Sequence, residues 1–316
     1  MKRTRVAPGA MQRFVTTRGW SVQTLAYVFG STTSNYQKWA RKNGLDILTD
    51  EIGEGGKLHW IGPLGPRKFD RVLLFFHGGG YALPLNIFTQ LAFLLSVKRD
   101  LEESVGGIGV VFLEYFLMPD FPFPTQLRQA NAAVIHLDNG LTPSSLVLSG
   151  DSAGGGITFQ ILSHILHPLP DIPPPPRLST AIGGAALISP WISFDSTLPS
   201  YAKNDKLDIV PTEFYDNEAA IFLSDVPDSH RAYAEPLFAG ATWWEGLGSV
   251  VGRVFASAGE LECPRNSILK FFSGPVKEHV LDTTVILDKG GLHEDMLNAF
   301  PAREGGRSTE YRILMK

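Results

Sequence analysis

Short apolar runs recur along this chain with room for a helix between most neighbouring pairs. Arg71-Val-Leu-Leu-Phe-Phe76 stops abruptly at three glycines, and Ile108-Gly-Val-Val-Phe-Leu-Glu-Tyr115 is a second run. Ser145-Leu-Val-Leu-Ser149, Ala181 to Ser189, Arg253-Val-Phe-Ala-Ser257 and Thr283-Thr-Val-Ile-Leu287 follow. Runs that are apolar at consecutive positions predict strands covered on both faces, as in a parallel sheet. Between them, Pro124 to Leu137 carries Leu127, Ala130, Ala133, Val134 and Leu137 near helical spacing. Ala153 to Leu166 and Ser267 to Phe272 read similarly. Strand and helix in alternation predict an α/β fold with crossover connections.

Two stretches break this rhythm. Residues 1–56 look helical, with Gly and Thr breaks and no evident strand, and residues 198–248 are mixed, aromatic and punctuated by proline. They leave two blocks of regular alternation, 57–197 and 249–316. Pro168-Leu-Pro-Asp-Ile-Pro-Pro-Pro-Pro176 can be neither helix nor central strand, because proline lacks the backbone donor both require. It reads as a surface loop between core elements.

Composition narrows the class. With 44% hydrophobic and 19% charged residues, the chain is expected to be globular rather than disordered. The net charge of -4 is mild, and the densest basic cluster, Lys2, Arg3 and Arg5, reads as a solvated terminus. No basic stripe suggests a nucleic-acid partner. Cys263 is the single cysteine, so no internal disulfide can form. There is no Asn-x-Ser/Thr acceptor, no secretory pattern in the first 30 residues, and no apolar run near the ~20 residues a spanning helix needs. These features predict a soluble cytoplasmic protein with no membrane span; they do not specify its oligomeric state.

Gly150-Asp151-Ser152-Ala153-Gly154 matches G-x-S-x-G, a weak signal alone. It gains weight because it follows one predicted strand and opens one predicted helix, the setting of a nucleophile elbow. The glycines leave room for a sharp turn, and the helix N-terminus favours negative charge near Ser152. A phosphate-binding glycine loop is the bland alternative, but the Lys of a P-loop is missing. His77-Gly78-Gly79-Gly80-Tyr81 follows the strand Arg71 to Phe76. Glycines let backbone N–H groups approach an acyl-transfer oxyanion without a Cβ clash. Gly78 and Gly79 are expected to donate, together with Ala153, while His77 and Asp151 are expected to support the loops.

Together these motifs resemble the hormone-sensitive lipase family of α/β-hydrolases. The segment from Glu114 to Pro124, the extended elbow Gly150 to Gly155, and Ser189-Pro190-Trp191 are similar to segments of that family. The similarity covers roughly residues 57–300, and Trp243-Trp244 with Ala258-Gly259-Glu260-Leu261-Glu262 is most like fungal members, several of which act on esters in natural-product pathways. The resemblance implies a mainly parallel eight-stranded sheet flanked by helices. It also implies a helical cap built from residues 1–56 and from the insertion 198–248.

An elbow serine needs a base and an acid, which follow it in that fold in the order serine, acid, histidine. Of eight histidines, His279 and His293 come late enough. His279 precedes the last predicted strand, whereas His293 follows it, at the edge where the site belongs, so His293 is chosen. The acid candidates are Glu262 and Glu260. Aligning Asn266 with the second Asp of the family's Asp-Pro-Leu-x-Asp-Glu places Glu262 on the catalytic acid. Cys263-Pro264 departs from that pattern.

The expected activity is hydrolysis of a carboxylic ester through an acyl-enzyme on Ser152, as an esterase or deacetylase. No cofactor and no metal are expected; His164 and His167 lack a third ligand nearby and read as surface residues. The expected partner is a small or medium hydrophobic ester, for which a secondary metabolite is one source. Two alternatives belong to other classes. The pocket could serve acyl transfer, condensation or cyclisation, or the protein could be a receptor, like the plant gibberellin receptors that resemble this family but lack the histidine. Phe14, Trp20, Tyr27, Phe214, Tyr215, Phe222, Trp243 and Trp244 could line an apolar pocket or simply pack a cap.

Overall fold

The computed structural model describes residues 29–62, 69–299 and 309–315. Lys2, Arg3, Arg5, Phe14, Trp20 and Tyr27 lie outside the described residues. Eight strands form one sheet: β1 (Thr49–Glu51), β2 (Lys57–Trp60), β3 (Arg71–Phe76), β4 (Ile108–Glu114), β5 (Leu146–Asp151), β6 (Gly184–Ile188), β7 (Val254–Gly259) and β8 (Thr283–Asp288). Their order is β1-β2-β4-β3-β5-β6-β7-β8. β1 and β2 run antiparallel to their neighbours, and every pairing from β4 to β8 is parallel.

The uninterrupted apolar runs follow from this topology. Along β3, Leu73 and Phe75 enter one core with Tyr36, Phe93 and Phe112, while Val72, Leu74 and Phe76 enter the other with Leu127, Ala133 and Phe159. Helices α1 (Thr32–Lys42) and α2 (Gln90–Val105) cover the first face; α3 (Thr125–Asp138) and α4 (Ala153–Leu166) cover the second. Burying each large apolar side chain contributes about 1.5–3 kcal/mol, so a strand facing two cores has no position to spare for polar residues.

Two readings of the sequence need correction. Residues 1–56 do hold a strand. β1 is the polar triplet Thr-Asp-Glu, paired on one edge only, so it had no apolar pattern to betray it. The described part of that segment also joins the sheet's own core, with the Tyr36 hydroxyl donating to the Trp60 carbonyl at 2.8 Å. The second correction concerns His164, which is not on the surface. It is fully buried, and its ring nitrogens meet the Leu169 N–H and the Pro173 carbonyl, each at 3.0 Å. It therefore anchors the proline-rich loop. His167, partly buried, packs on Trp243.

Between β6 and β7 the chain leaves the sheet through α5 (Pro199–Asn204), α6 (Thr212–Phe222) and several single turns. It returns to the core with α7 (Arg265–Phe271), after β7. Among the described residues no helix is long and apolar enough to cross a membrane.

Candidate active site

Ser152 sits between the end of β5 and the start of α4 with φ 46° and ψ −118°. A non-glycine residue at positive φ costs on the order of 1–3 kcal/mol and persists only where its surroundings hold it. Here the Ser152 N–H donates to the Ile188 carbonyl at 3.0 Å, and its own carbonyl accepts the Trp191 N–H at 2.8 Å. The Ser189-Pro190-Trp191 segment thus staples the elbow to the end of β6. The turn is so tight that a Cβ on Gly154 would overlap the Phe76 carbonyl.

His293 reaches the same point from the loop after β8. Its Nε2 stands 3.0 Å from Ser152 Oγ, and its Nδ1 stands 2.8 Å from Glu262 Oε2. Because a carboxylate can only accept, Nδ1 carries the proton and Nε2 offers its lone pair to the Ser152 hydroxyl. The Glu262 carboxyl is fully buried, and its other oxygen accepts the Gly259 N–H at 2.8 Å. Glu260 turns away: it is exposed and accepts the Gly290 N–H at 2.9 Å. His279 contacts the Ala241 carbonyl instead, at 3.2 Å.

Charge explains how this pair is poised. Burial works to lower the pKa of His293, but the hydrogen bond and charge of Glu262, aided by Asp208 and Asp151, outweigh it and raise the value above its ordinary range. Burial pushes the Glu262 carboxyl up, and the bond to His293 pulls it back.

The glycine loop corrects one expectation. The Gly78 N–H is not available to an oxyanion, because it donates to Asp151 Oδ1 at 2.9 Å. Asp151 Oδ2 accepts from Gln90 at 2.7 Å, so Asp151 is a brace between the two loops. The chain then turns through positive φ at Gly79 (107°) and Gly80 (62°). Among the described residues no group accepts from the N–H of Gly79, Gly80 or Ala153. Gly80 and Ala153 are buried. Buried N–H groups without partners are rare because each costs about as much as a lost hydrogen bond. Grouped beside a serine at a helix N-terminus, they are suited to receive a developing oxyanion. His77 supports this loop from below: it is fully buried, its Nδ1 donates to the Gly78 carbonyl at 2.8 Å, and burial holds it neutral. The Tyr115 ring stacks on it, with centroids 4.3 Å apart.

Two residues escaped the reading of the sequence. Asp208, 2% exposed, comes from the excursion between β6 and β7. Its Oδ1 accepts the His293 N–H at 2.9 Å and its Oδ2 accepts the Cys263 N–H at 2.7 Å, so one carboxylate ties the histidine loop to the acid loop. Glu294 follows His293, and its Oε1 lies 3.7 Å from His293 Nε2. Burial, then the nearby charge of Asp151, pushes the Glu294 carboxyl well above the carboxylate range, which favours its neutral form. No motif marks either residue; only the approach of separate loops gives them partners.

The expected aromatic residues divide into two groups. Trp243 and Trp244 pack on α4 and α7, away from Ser152. Tyr215 stands edge-on to His293, with centroids 5.8 Å apart, and Phe214 rests on Gly80.

Comparison with known proteins agrees with this architecture. A family model described as alpha/beta hydrolase fold matches residues 73–261. A Schizosaccharomyces pombe protein provisionally named a steryl acetyl hydrolase is 26% identical over 250 residues, covering 74% of this chain and 62% of that protein. An acetyl-hydrolase of Streptomyces hygroscopicus is 33% identical over 139 residues, covering 42% of this chain and 39% of that protein. The matched part therefore spans less than two thirds of the length of either relative. Among solved structures, an esterase from the bacterial hormone-sensitive lipase family superposes with a TM-score of 0.67 at 24% identity, covering 92% of this chain and 95% of that one.

Proposed function

The chain belongs to the alpha/beta hydrolase fold family, and we propose that it is a carboxylic ester hydrolase that works through an acyl-enzyme on Ser152. The observation that carries this reading is the relay from Ser152 Oγ to His293 Nε2 at 3.0 Å and from His293 Nδ1 to Glu262 at 2.8 Å.

In this mechanism Ser152 Oγ attacks the ester carbonyl while its proton passes to His293 Nε2. Glu262 holds the imidazole in the tautomer that can accept it and stabilises the cation that results. The N–H groups of Gly79, Gly80 and Ala153 receive the charge on the former carbonyl oxygen. His293 then gives the proton to the leaving alcohol, and water, activated by the same imidazole, releases the acid and restores Ser152. Each proton taken is returned, so one ester and one water yield one acid and one alcohol.

The excursion 198–248 serves in this reading as a cap over the site, which the contacts of Tyr215 and Phe214 support. Tyr215, Phe214 and Phe222 favour a small or medium hydrophobic ester. The names of the relatives, which speak of acetyl groups, favour a short acyl chain. A secondary metabolite remains our finer reading of the source, supported by the resemblance to fungal members.

The test is hydrolysis of p-nitrophenyl acetate and butyrate by wild type, Ser152→Ala and His293→Ala. Removing either residue is expected to lower kcat by about 10⁴-fold or more. An enzyme that is inactive on both esters yet reacts with a fluorophosphonate at Ser152 has live machinery and a special substrate. The absence of both turnover and labelling would falsify the serine mechanism. Hydrolysis in ¹⁸O-labelled water separates it from acyl transfer or condensation, because only hydrolysis places the label in the acid.

A further inference from the structure

One ionisable side chain near the site has no part in the chemistry just described. The inward face of α6 consists of Phe214, Tyr215, Glu218, Ala219 and Phe222. On that face Glu218 stands among aromatic and aliphatic neighbours and is 7% exposed. Its place relative to the site is fixed by Gly80: a Cβ on that glycine would lie 2.7 Å from Phe214 Cζ and 3.3 Å from Glu218 Cγ. Glu218 therefore stands beside the loop that carries the free N–H groups, on the same helix face that sets Tyr215 against His293. Phe222, one turn further on, stacks on Tyr81 with centroids 4.2 Å apart.

Among the described residues nothing compensates this carboxyl. Among the described residues no cation pairs with it and no donor bonds to it. Burial alone pushes its pKa up to about 7. Its oxygens nevertheless are not sealed: they are absent from the fully enclosed polar atoms, which include the Tyr215 hydroxyl. The carboxyl thus keeps a little exposure, on a side chain whose Cγ lies beside the oxyanion loop. An unpaired acid in such surroundings weakens the fold, and an apolar residue such as Leu would fill the position without that cost. A ligand that brings the missing positive charge offsets this cost while keeping the carboxylate ionised. In a setting of low polarity a carboxylate attracts a cation far more strongly than it does in water. The neighbouring aromatic ring of Phe214 keeps the surroundings of the carboxyl apolar.

We propose that Glu218 is the recognition group for a positively charged substituent on the substrate, an ammonium group carried by the ester. The proposal rests on the ester-hydrolase reading but adds a selectivity which that reading does not require.

Acetylcholine and its neutral carbon isostere 3,3-dimethylbutyl acetate share shape and acyl group and differ in one fixed charge. The ratio of their kcat/KM values therefore isolates the charge, because the demands of Ser152 and His293 cancel. Wild type is expected to favour the cationic ester by about tenfold or more, and Glu218→Gln to remove about tenfold of that ratio. A ratio that is the same in wild type and in Glu218→Gln overturns the proposal. Calorimetric titration with choline needs no turnover. Tighter binding to wild type than to Glu218→Gln by about tenfold supports the cation site even where neither ester is cleaved, an outcome that would sink the hydrolase reading alone. Equal binding to both proteins, or none to either, overturns the cation site.

Discussion

The loops that leave β3, β5 and β8 and the excursion between β6 and β7 meet at Ser152 by different means. The core loops bring backbone: a strained serine, two glycines at positive φ, N–H groups without acceptors among the described residues, and a histidine held at one end of the sheet. The excursion brings side chains from one face of α6 and a single aspartate ahead of it. Backbone demands restrict which residues can occupy a position, so the first region is written in motifs. A helix face accepts many side chains, so the second is not. The difference teaches that, in the proposed reading, the machinery and the selectivity of this site have separate origins, and that Asp208 crosses between them.

The sharpest way to break the comparison lies within the core loops, at two glutamates two positions apart. The Glu262 carboxylate meets His293, whereas the Glu260 carboxylate accepts the Gly290 N–H. Glu262→Gln is expected to lower kcat by about 10²–10⁴-fold, because Gln can stabilise neither the tautomer nor the cation as a carboxylate does. Glu260→Gln, which disturbs one exposed hydrogen bond, is expected to change kcat less than about threefold. Equal losses in the two variants would mean that the acid is not set by the contact seen at His293.

Asp208 tests whether the excursion is only a cover. Its carboxylate accepts three N–H groups, from His293, Cys263 and Ile209. Asn in its place keeps the shape but turns an amide N–H toward one of those donors. Asp208→Asn is expected to lower kcat by about 10–100-fold through a small displacement of the imidazole. It should also cost about 1–3 kcal/mol in urea unfolding. A variant that loses stability but keeps kcat below its unfolding transition would reduce Asp208 to a structural tie and restore a clean division between the two regions.

How much of this was legible follows from the same physics. The parallel strands β3 to β7 were visible because burial on both faces leaves an unbroken apolar run, as in Val72 to Phe76, and the edge strand β8 because of its β-branched Thr-Thr-Val-Ile run. β1 was not, because three polar residues at an edge carry no period. α2 was not singled out either; Lys98, Arg99, Asp100, Glu102 and Glu103 fall within it and blur its apolar stripe. The elbow was visible because only small residues fit where α4 starts against β3. Which glycines of the loop keep their N–H groups free was not, because that depends on where Asp151 points, and the choice moved from Gly78 to Gly80. Asp208 and Glu218 could not be found at all. Asp208 acts on His293 from 85 positions away, and Glu218 has meaning only through what it lacks.

The gentlest probe is pH, and it sharpens the comparison by asking which groups set the base. His293 must be neutral to take the Ser152 proton, so kcat/KM falls as acid protonates it. Its pKa is raised, with Glu262 the main cause acting against burial. A raised pKa means that protonation begins at higher pH, so the acidic limb of kcat/KM for a neutral ester should lie above 6.5, the ordinary histidine value. Removing the charge of Glu262 leaves burial less opposed, so in Glu262→Gln the limb should move to lower pH as the rate falls. Asp208 raises the same pKa more weakly, and Asp208→Asn should move the limb in the same direction by a smaller step. A limb that stays fixed across both variants would mean that the titrating group is not His293. A larger shift from Asp208 than from Glu262 would move control of the base out of the core loops and into the excursion.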